Sequence, residues 1–330
     1  MKKYFLLFVM FLSIILTYSK VHAYTDTYYI KNDSIKITSS DHNKHKDIGY
    51  LDEDIYTMSK TEFDKMMNMH IINTETKTFF IYTEKNSQTI KILTKEGYNS
   101  NLVNFYESGT IVETSKKMTI TATYFNDANR KNQIYVILNT EWLQTPSNRY
   151  QDLFSILFSH NTQSKSIKYN GEVYPEFYCD FHYKEHYYLE DYSTYPTKIT
   201  DTITTIHNDF DYKERNKYRY FLDTGIITGF DLPKDRSIDT TSSVYKTKGF
   251  KKYYDLKMSM KGYFILNNSS STATSFSGMY LHQNNAGNFD LGNVTFSLTE
   301  PYFSYSTSFW KNDPSYENPV MIPIFLEDLK

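Results

Sequence analysis

Apolar and polar residues alternate at period two over much of the chain, which predicts strands with one buried face. Between residues 117 and 124 the apolar positions are Met118, Ile120, Ala122 and Tyr124. Residues 256–266 repeat the pattern with apolar Leu256, Met258, Met260, Phe264 and Leu266 opposite polar Lys257, Ser259 and Lys261. Residues 133–143 are apolar on both faces, which is typical of a central strand. We therefore predict a mainly β protein, an antiparallel β-sandwich-like domain.

Turn residues between strand-like runs predict two hairpins. The first joins residues 76–82 to residues 88–93 through Glu-Lys-Asn-Ser at residues 84–87. The second joins residues 276–283 to residues 291–299 through the Asn- and Gly-containing segment 284–288. Both connections are short, so we expect the strands of each pair to be neighbours.

One short N-terminal helix is predicted from a capping box. Ser59 and Glu62 have the spacing in which the serine hydroxyl accepts from the Glu62 amide, and apolar residues follow at helical intervals. The predicted helix covers residues 60–69. The charged segment 41–54 is predicted to be a loop.

The first 23 residues have the features of a signal peptide. A basic start at Lys2 and Lys3 precedes an apolar run over residues 4–16, and the segment ends in Val21-His22-Ala23. We expect a secreted, extracellular protein with a signal peptide at 1–23, an N-terminal α+β region at 24–110 and an antiparallel β domain at 111–330. The last two regions are expected to fold as neighbours or as one unit.

Charge, cysteine and tyrosine content indicate which partners and which cellular location the protein has. The 36 basic and 38 acidic residues nearly balance, which argues against a nucleic-acid partner held by charge. Loss of residues 1–23 leaves 33 basic residues and a net charge of −5. The single cysteine, Cys179, excludes an internal disulfide, which for an exported protein is typical of a Gram-positive bacterium. Tyrosine is abundant, with 32 residues, and suits half-buried strands.

Two segments contain residue types that bind metals. His182, Glu185 and His186 match the H-x-x-E-H pattern of inverted zinc peptidases, and Cys179 lies three residues upstream. A shared zinc ion requires a helix there, because residues four apart on a strand are about 13 Å apart. The surrounding aromatic residues favour a strand, and therefore histidines without a metal. Residues 41–52 resemble a calcium loop but place His45 and Lys46 where oxygen and glycine are needed.

A membrane-inserting hairpin is a further hypothesis. Residues 262–289 contain no Asp, Glu, Lys or Arg, and the segment is rich in Ser, Thr and Asn. The arm at 291–299 has the length and alternation of a transmembrane strand, whereas Gly278 and His282 interrupt the arm at 276–283. A β-pore-forming toxin with insertion of the 262–299 region is therefore an alternative function.

In residues 141–152 a predicted strand ends in Trp142-Leu143, and Pro146, Arg149 and an Asp152 that opens the next strand follow. Later segments are Gly229-Phe230-Asp231-Leu232-Pro233 and Tyr280-Leu281-His282-Gln283. Over about residues 115–300 these motifs resemble a family of uncharacterised small secreted proteins of Gram-positive bacteria. The resemblance implies a secreted β-rich domain without catalytic residues. Arg149 and Asp152, three residues apart across a turn, are expected to form an ion pair.

The predicted function is that of a non-catalytic extracellular or cell-surface interaction protein. Its partner would be an extracellular protein or glycan, with a membrane as partner only for a pore former. A secreted metal-dependent hydrolase is the second alternative, with His182, Glu185, His186 and Cys179 as metal candidates. No catalytic residue and no cofactor is predicted, because phosphate loops, nucleophile elbows and cysteine pairs are missing from the sequence.

Overall fold

A layer of short helices and two antiparallel sheets are stacked in the computed structural model. The structure describes residues 28–30, 35–83, 90–94, 111–125, 133–146, 149–169, 171–193, 196–211, 219–222, 225–241, 246–267, 273–282, 296–299, 302–305, 320–327 and 329. The helices are α1 (Ser39–Asp47), α2 (Asp52–Thr57) and α3 (Lys60–Met66). The predicted signal peptide lies outside the described residues.

The strands are named in chain order. They are β1 (Tyr28–Ile30), β2 (Ile35–Ile37), β3 (Met69–Thr83), β4 (Ile90–Thr94), β5 (Ile111–Phe125), β6 (Gln133–Trp142), β7 (Gln151–Phe158), β8 (Thr162–Ser164), β9 (Ser166–Tyr169), β10 (Glu172–Pro175), β11 (Phe177–Asp191), β12 (Lys198–Asp211), β13 (Arg219–Leu222), β14 (Gly225–Asp231), β15 (Arg236–Ser237), β16 (Thr240–Thr241), β17 (Lys246–Leu266), β18 (Thr274–His282), β19 (Phe296–Thr299), β20 (Tyr302–Tyr305) and β21 (Val320–Leu326).

The large sheet has ten strands, and the small sheet has five. The large sheet runs β12–β11–β17–β6–β5–β3–β4, and β8, β15 and β16 also pair with β17. The small sheet runs β13–β14–β7–β18–β21. All described strand pairs are antiparallel. Strand β3 of the N-terminal region pairs along its whole length with β5.

The main core lies between the two sheets. The large sheet contributes the apolar faces that the alternation predicted, including Met118, Leu138 and Met258, all at most 1% exposed. Phe154 and Phe276 of the small sheet meet them from the other side and are completely buried. Burial of each such side chain contributes about 1.5–3 kcal/mol. The predicted antiparallel sandwich is confirmed, and β6 is central, between β5 and β17.

A second core joins the helices to the outer face of the large sheet. Its members are Ile37, Ile48, Tyr50, Ile55, Met58, Phe63, Met66, Met69, Tyr135, Ile137 and Tyr263. Helix α3 begins with the predicted cap, since the Ser59 hydroxyl accepts from the Glu62 amide at 3.2 Å. The prediction of a loop at 41–54 is wrong, because α1 and α2 occupy all of it except residues 48–51. The buried residues of α1 are His42 and His45, so the segment lacks the apolar period that indicates a helix.

One predicted hairpin is confirmed and the other is wrong. Strand β3 pairs with β4 as expected, with Thr83 opposite Ile90. Strand β18, which contains most of the arm predicted at 276–283, pairs instead with β7 on one side and β21 on the other. Strand β19, in the other predicted arm, pairs with β20. Both edges of β18 are therefore occupied by strands distant in sequence.

The helices of the described residues are short. None of them has the length and hydropathy that a membrane-spanning helix requires.

Candidate functional site

Strand β11 contains all four residues that the sequence nominated as metal ligands. Cys179 is completely buried in the core between the sheets. His182 is 1% exposed and faces the helices, whereas Glu185 and His186 lie further along the strand and are half-buried. An extended strand separates residues four apart by about 13 Å. The structure therefore does not bring His182 and His186 together, and each has a different carboxylate partner.

The partner of His182 belongs to a buried charged cluster that we define as Asp54, Asp180, His182 and Lys261. His182 Nε2 lies 2.8 Å from Asp54 Oδ1, and Lys261 Nζ lies 2.7 Å from Asp54 Oδ2 and 2.5 Å from Asp180 Oδ2. The ammonium thus bridges two carboxylates beneath helix α2. Burial disfavours the charged lysine, but the charges of Asp180 and Asp54 outweigh burial and raise the pKa of Lys261.

The same cluster is the arrangement within the described residues that most resembles a metal site. One ligand atom from each of Asp54, Asp180 and His182 lies within 4.8 Å of the others. Lys261 Nζ already contacts both carboxylates, so the chain supplies its own cation there. The calcium-loop pattern at 41–52 does not form a loop, because its first half is helix α1. Asp52 contacts Lys46 and His42 instead.

Beyond the sandwich core, three strands continue as a ribbon, which we define as residues 183–191, 198–206 and 246–255. Residues 183–190 are all half-buried, in contrast to the buried first half of β11. Strand β12 forms the edge of the large sheet in the described residues. A β-bulge marks the start of the ribbon, where the register between β11 and β17 shifts near Asp255 at φ 56°. Lys184 Nζ contacts Asp255 Oδ2 at 2.8 Å and holds this bulge.

One side of the ribbon, which we call the apolar face, combines aromatic and aliphatic side chains with charged ones, and Lys252 Nζ lies 4.9 Å from the centre of the Phe250 ring. The register places His186 beside Ile203, and Tyr188 beside Phe250. The Phe250 ring stacks on Tyr188 with centroids 5.4 Å apart and meets the edge of His186 at 5.2 Å. Ile199 and Ile203 are 61% and 63% exposed. His186 Nε2 lies 2.7 Å from Asp201 Oδ1 on the same face.

The opposite side of the ribbon, which we call the polar face, combines the Glu185–Lys251 ion pair with threonines and tyrosines. Lys251 Nζ lies 2.9 Å from Glu185 Oε1 and 5.2 Å from the centre of the Tyr187 ring. The hydrogen bond from Lys251 lowers the pKa of Glu185. Thr202 and Thr204 are exposed on this face. Strongly exposed isoleucines therefore occur on one face only of β12 within the described part of the ribbon.

The motif that ends at Asp152 forms a buried contact between the two sheets. Trp142 Nε1 donates to Asp152 Oδ2 at 2.8 Å, and His282 Nδ1 lies 2.7 Å from Asp152 Oδ1. The expected ion pair of Arg149 with Asp152 is wrong. Arg149 instead makes a bidentate pair with Asp235 at 2.6 and 3.0 Å. The carboxylate of Asp152 is completely buried and is used by the two aromatic donors.

Sequence reasoning missed several of these residues. The polar residues of segment 256–266 were interpreted from alternation alone, so Lys261 was grouped with solvent-facing residues. Asp54 was assigned to a loop, and Asp180, between Cys179 and Phe181, belongs to no motif of the sequence. Ile199 and Ile203, four residues apart in a Thr-rich run, were the one local indication of an apolar patch.

Comparison with known proteins gives a distant structural likeness. No protein-family model matches the sequence, and no curated protein matches it. The fold is similar to the crystal structure of the Clostridium perfringens NetB toxin in the membrane inserted form, with a TM-score of 0.22 and 10% identity. The likeness covers 63% of this chain and 84% of that chain. At this TM-score and identity it assigns the chain to no family.

Proposed function

We propose that the protein is a secreted, non-catalytic interaction protein that binds an extracellular protein through the apolar face of the ribbon. The single observation that carries this proposal is the pair Ile199 and Ile203, 61% and 63% exposed beside an aromatic cluster. Exposed aliphatic side chains next to a half-buried aromatic platform are typical of protein-protein contact surfaces. The chemistry fits a partner with an apolar patch better than a glycan, which presents mainly hydroxyl groups.

The position of this face on an edge strand supports the proposal. Strand β12 pairs with β11 on one side, and its described neighbours include none on the other. An edge strand offers backbone donors and acceptors to an extended partner segment, while alternate side chains give specificity.

The test is binding of the labelled full chain to cell surfaces, with and without prior trypsin treatment of the cells. We expect saturable binding that trypsin abolishes. The double variant Ile199→Thr with Ile203→Thr should weaken binding at least tenfold, since each isoleucine loses an apolar contact. The matched control is Thr202→Ala with Thr204→Ala on the polar face, which should bind as the wild type does.

Three outcomes contradict this proposal. Equal binding by both double variants would place the contact elsewhere on the molecule. Binding that survives trypsin but is lost after periodate oxidation of the cells would identify a glycan partner. Dye release from liposomes by the wild type would instead favour the pore-forming alternative.

A further inference from the structure

A cavity of about 470 Å³ lies between the helical layer and the large sheet. Its lining residues are Tyr50, Asp54, Thr57, Met58, Ser59, Thr61, Glu62, Lys65, Met66, Tyr135, Glu176, Tyr178, Asp180, Lys261 and Tyr263. The charged cluster forms part of its wall. The volume is in the range of small-molecule sites, about 300–1,000 Å³.

The charges around the cavity are unequal. Four acidic residues line it, Asp54, Glu62, Glu176 and Asp180, against two basic residues, Lys65 and Lys261. Lys165, which is not part of the lining, neutralises the charge of Glu176, since Lys165 Nζ lies 2.8 Å from Glu176 Oε2. The remaining acidic excess is therefore centred on Glu62 and the two aspartates. Low-dielectric walls strengthen the field of such an excess and attract a cation.

Glu62 is the acidic group best placed to meet a ligand. Its side chain is exposed on helix α3 at the edge of the cavity, whereas both aspartates are bound to Lys261. Burial of its carboxyl group raises the pKa of Glu62. The charges of Asp180 and Asp54 add to this effect, whereas those of Lys261 and Lys65 oppose it. A cation beside Glu62 would stabilise the carboxylate that burial disfavours.

Three tyrosines of the lining, Tyr50, Tyr135 and Tyr263, are at most 3% exposed and form its aromatic part. Tyr50 and Tyr135 share a hydrogen bond of 2.9 Å between their hydroxyl oxygens, which fixes both rings. Lys65 Nζ lies 4.8 Å from the centre of the Tyr263 ring, and Lys261 Nζ lies 5.2 Å from that of Tyr50. Ammonium groups of the chain thus already lie within the distance at which a ring attracts a cation, about 6 Å.

We infer that this cavity binds a small organic ammonium ion, held between the Glu62 carboxylate and the tyrosine rings. This inference goes beyond the proposed function, because it concerns a second site on the helical side of the large sheet. The Lys65 ammonium, which donates to Tyr263 Oη at 2.9 Å, occupies part of the same surface and competes with the ligand. Removal of Glu62 and removal of Lys65 therefore have opposite effects on binding.

Calorimetric titration of the full chain with 1,4-diaminobutane tests the inference, with 1,4-butanediol as the uncharged analogue of the same length. We expect saturable binding of the diamine and none of the diol. Glu62→Gln should weaken the affinity about tenfold, and Lys65→Gln should strengthen it severalfold. The matched control Glu75→Gln removes an exposed acid outside the lining and should leave the affinity unchanged.

Glu62→Gln and Lys65→Gln are expected to change the affinity in opposite directions, so either variant alone tests the site if the other one unfolds. Equal binding of the diol would show that hydroxyl groups and not charge are recognised. A diamine affinity that falls equally in Glu62→Gln and Glu75→Gln would show only general attraction to an acidic protein. No saturable heat with the folded wild type would overturn the inference. None of these results depends on the apolar face of the ribbon, so failure here leaves the proposed function standing.

Discussion

His182 and His186 lie on the same face of β11, four residues apart, yet each bonds a carboxylate in a different environment. His182 is 1% exposed and belongs to the charged cluster under the helices. The His186 side chain is 30% exposed, and its partner Asp201 is 58% exposed on the ribbon. The two lysines of β17 repeat the contrast, since Lys261 bridges two buried carboxylates and Lys251 pairs with Glu185 near solvent.

This contrast teaches that similar contact distances have different energetic consequences. Near solvent, both partners of an ion pair are hydrated whether or not they meet, so the pair contributes little. In the buried cluster, loss of one partner leaves a charge without water and without a counterion. The inner half of the β11–β17 pair should therefore depend on its charges, whereas the ribbon should depend on backbone pairing and ring contacts.

The largest expected effect comes from Lys261→Met. This change leaves Asp54 and Asp180 buried without their shared cation, and it should lower the free energy of unfolding by about 3–5 kcal/mol. Urea denaturation at neutral pH measures the loss. A loss below about 1 kcal/mol would show that the buried cluster behaves like an exposed ion pair and would contradict the contrast between them.

A substitution in the ribbon gives the next largest effect. A Cβ at Gly249 would overlap the backbone carbonyl oxygen of Tyr188, so Gly249→Ala must displace β17 from β11. We expect a cost of about 1–3 kcal/mol, confined to the ribbon. Amide hydrogen exchange should quicken in residues 246–255 and stay unchanged in residues 256–266. Uniform acceleration along the whole strand would contradict the independence of the two halves.

Mild acid should weaken the helical layer before the ribbon. Burial lowers the pKa of His42 and His45 from the ordinary value of 6.5. The fold therefore favours the neutral imidazoles, and their stabilising effect is complete above pH 6.5 and is lost as the pH falls below that value. Unfolding free energies at about pH 7.5 and about pH 5.5 should show this loss.

His45→Gln should reduce that pH dependence. The His45 ring stacks on Phe63 at 3.8 Å, and its two nitrogens lie 2.9 and 3.1 Å from the carbonyl oxygens of Asp41 and Phe63. The Ile199→Thr variant in the ribbon is the control and should keep the wild-type dependence. An unchanged slope in His45→Gln would assign the acid sensitivity to other groups.

The smallest expected effect is that of Lys251→Met. Its partner Glu185 remains hydrated without the lysine, so the unfolding free energy should fall by less than about 1 kcal/mol. Added salt should reduce the difference from the wild type further. A loss as large as that of Lys261→Met would erase the distinction between the two halves.

The local pattern predicted much of the sandwich but not what covers it. Met258 and Met260 fall on the buried face as expected, because period-two alternation is a property of a strand alone. The same alternation assigned Lys261 to solvent, because the pattern of one strand does not reveal that helices pack over its polar side. Helix α1 was missed for a related reason, because histidines occupy its buried positions.

Long-range pairing limited the prediction of the small sheet. The 76–93 hairpin was correct because its two strands are joined by a short turn. The arm at 276–283 was matched with its neighbour in sequence, whereas the structure pairs Phe276 with Phe158 and with Ile324. The candidate sites depend on such distant contacts as well, as in the pairing of Asp54 with His182. No spacing within one segment encodes them.

Cys179 makes the opening of the sandwich measurable without any mutation. It is the sole thiol of the chain, and its side chain is completely buried beside β17. A thiol reagent reacts with it only when β11 leaves the core, so the labelling rate counts global openings and ignores fraying of the ribbon. Under oxidising conditions an opened chain can cross-link only to another chain. Covalent dimers would then record the fraction of molecules that had opened.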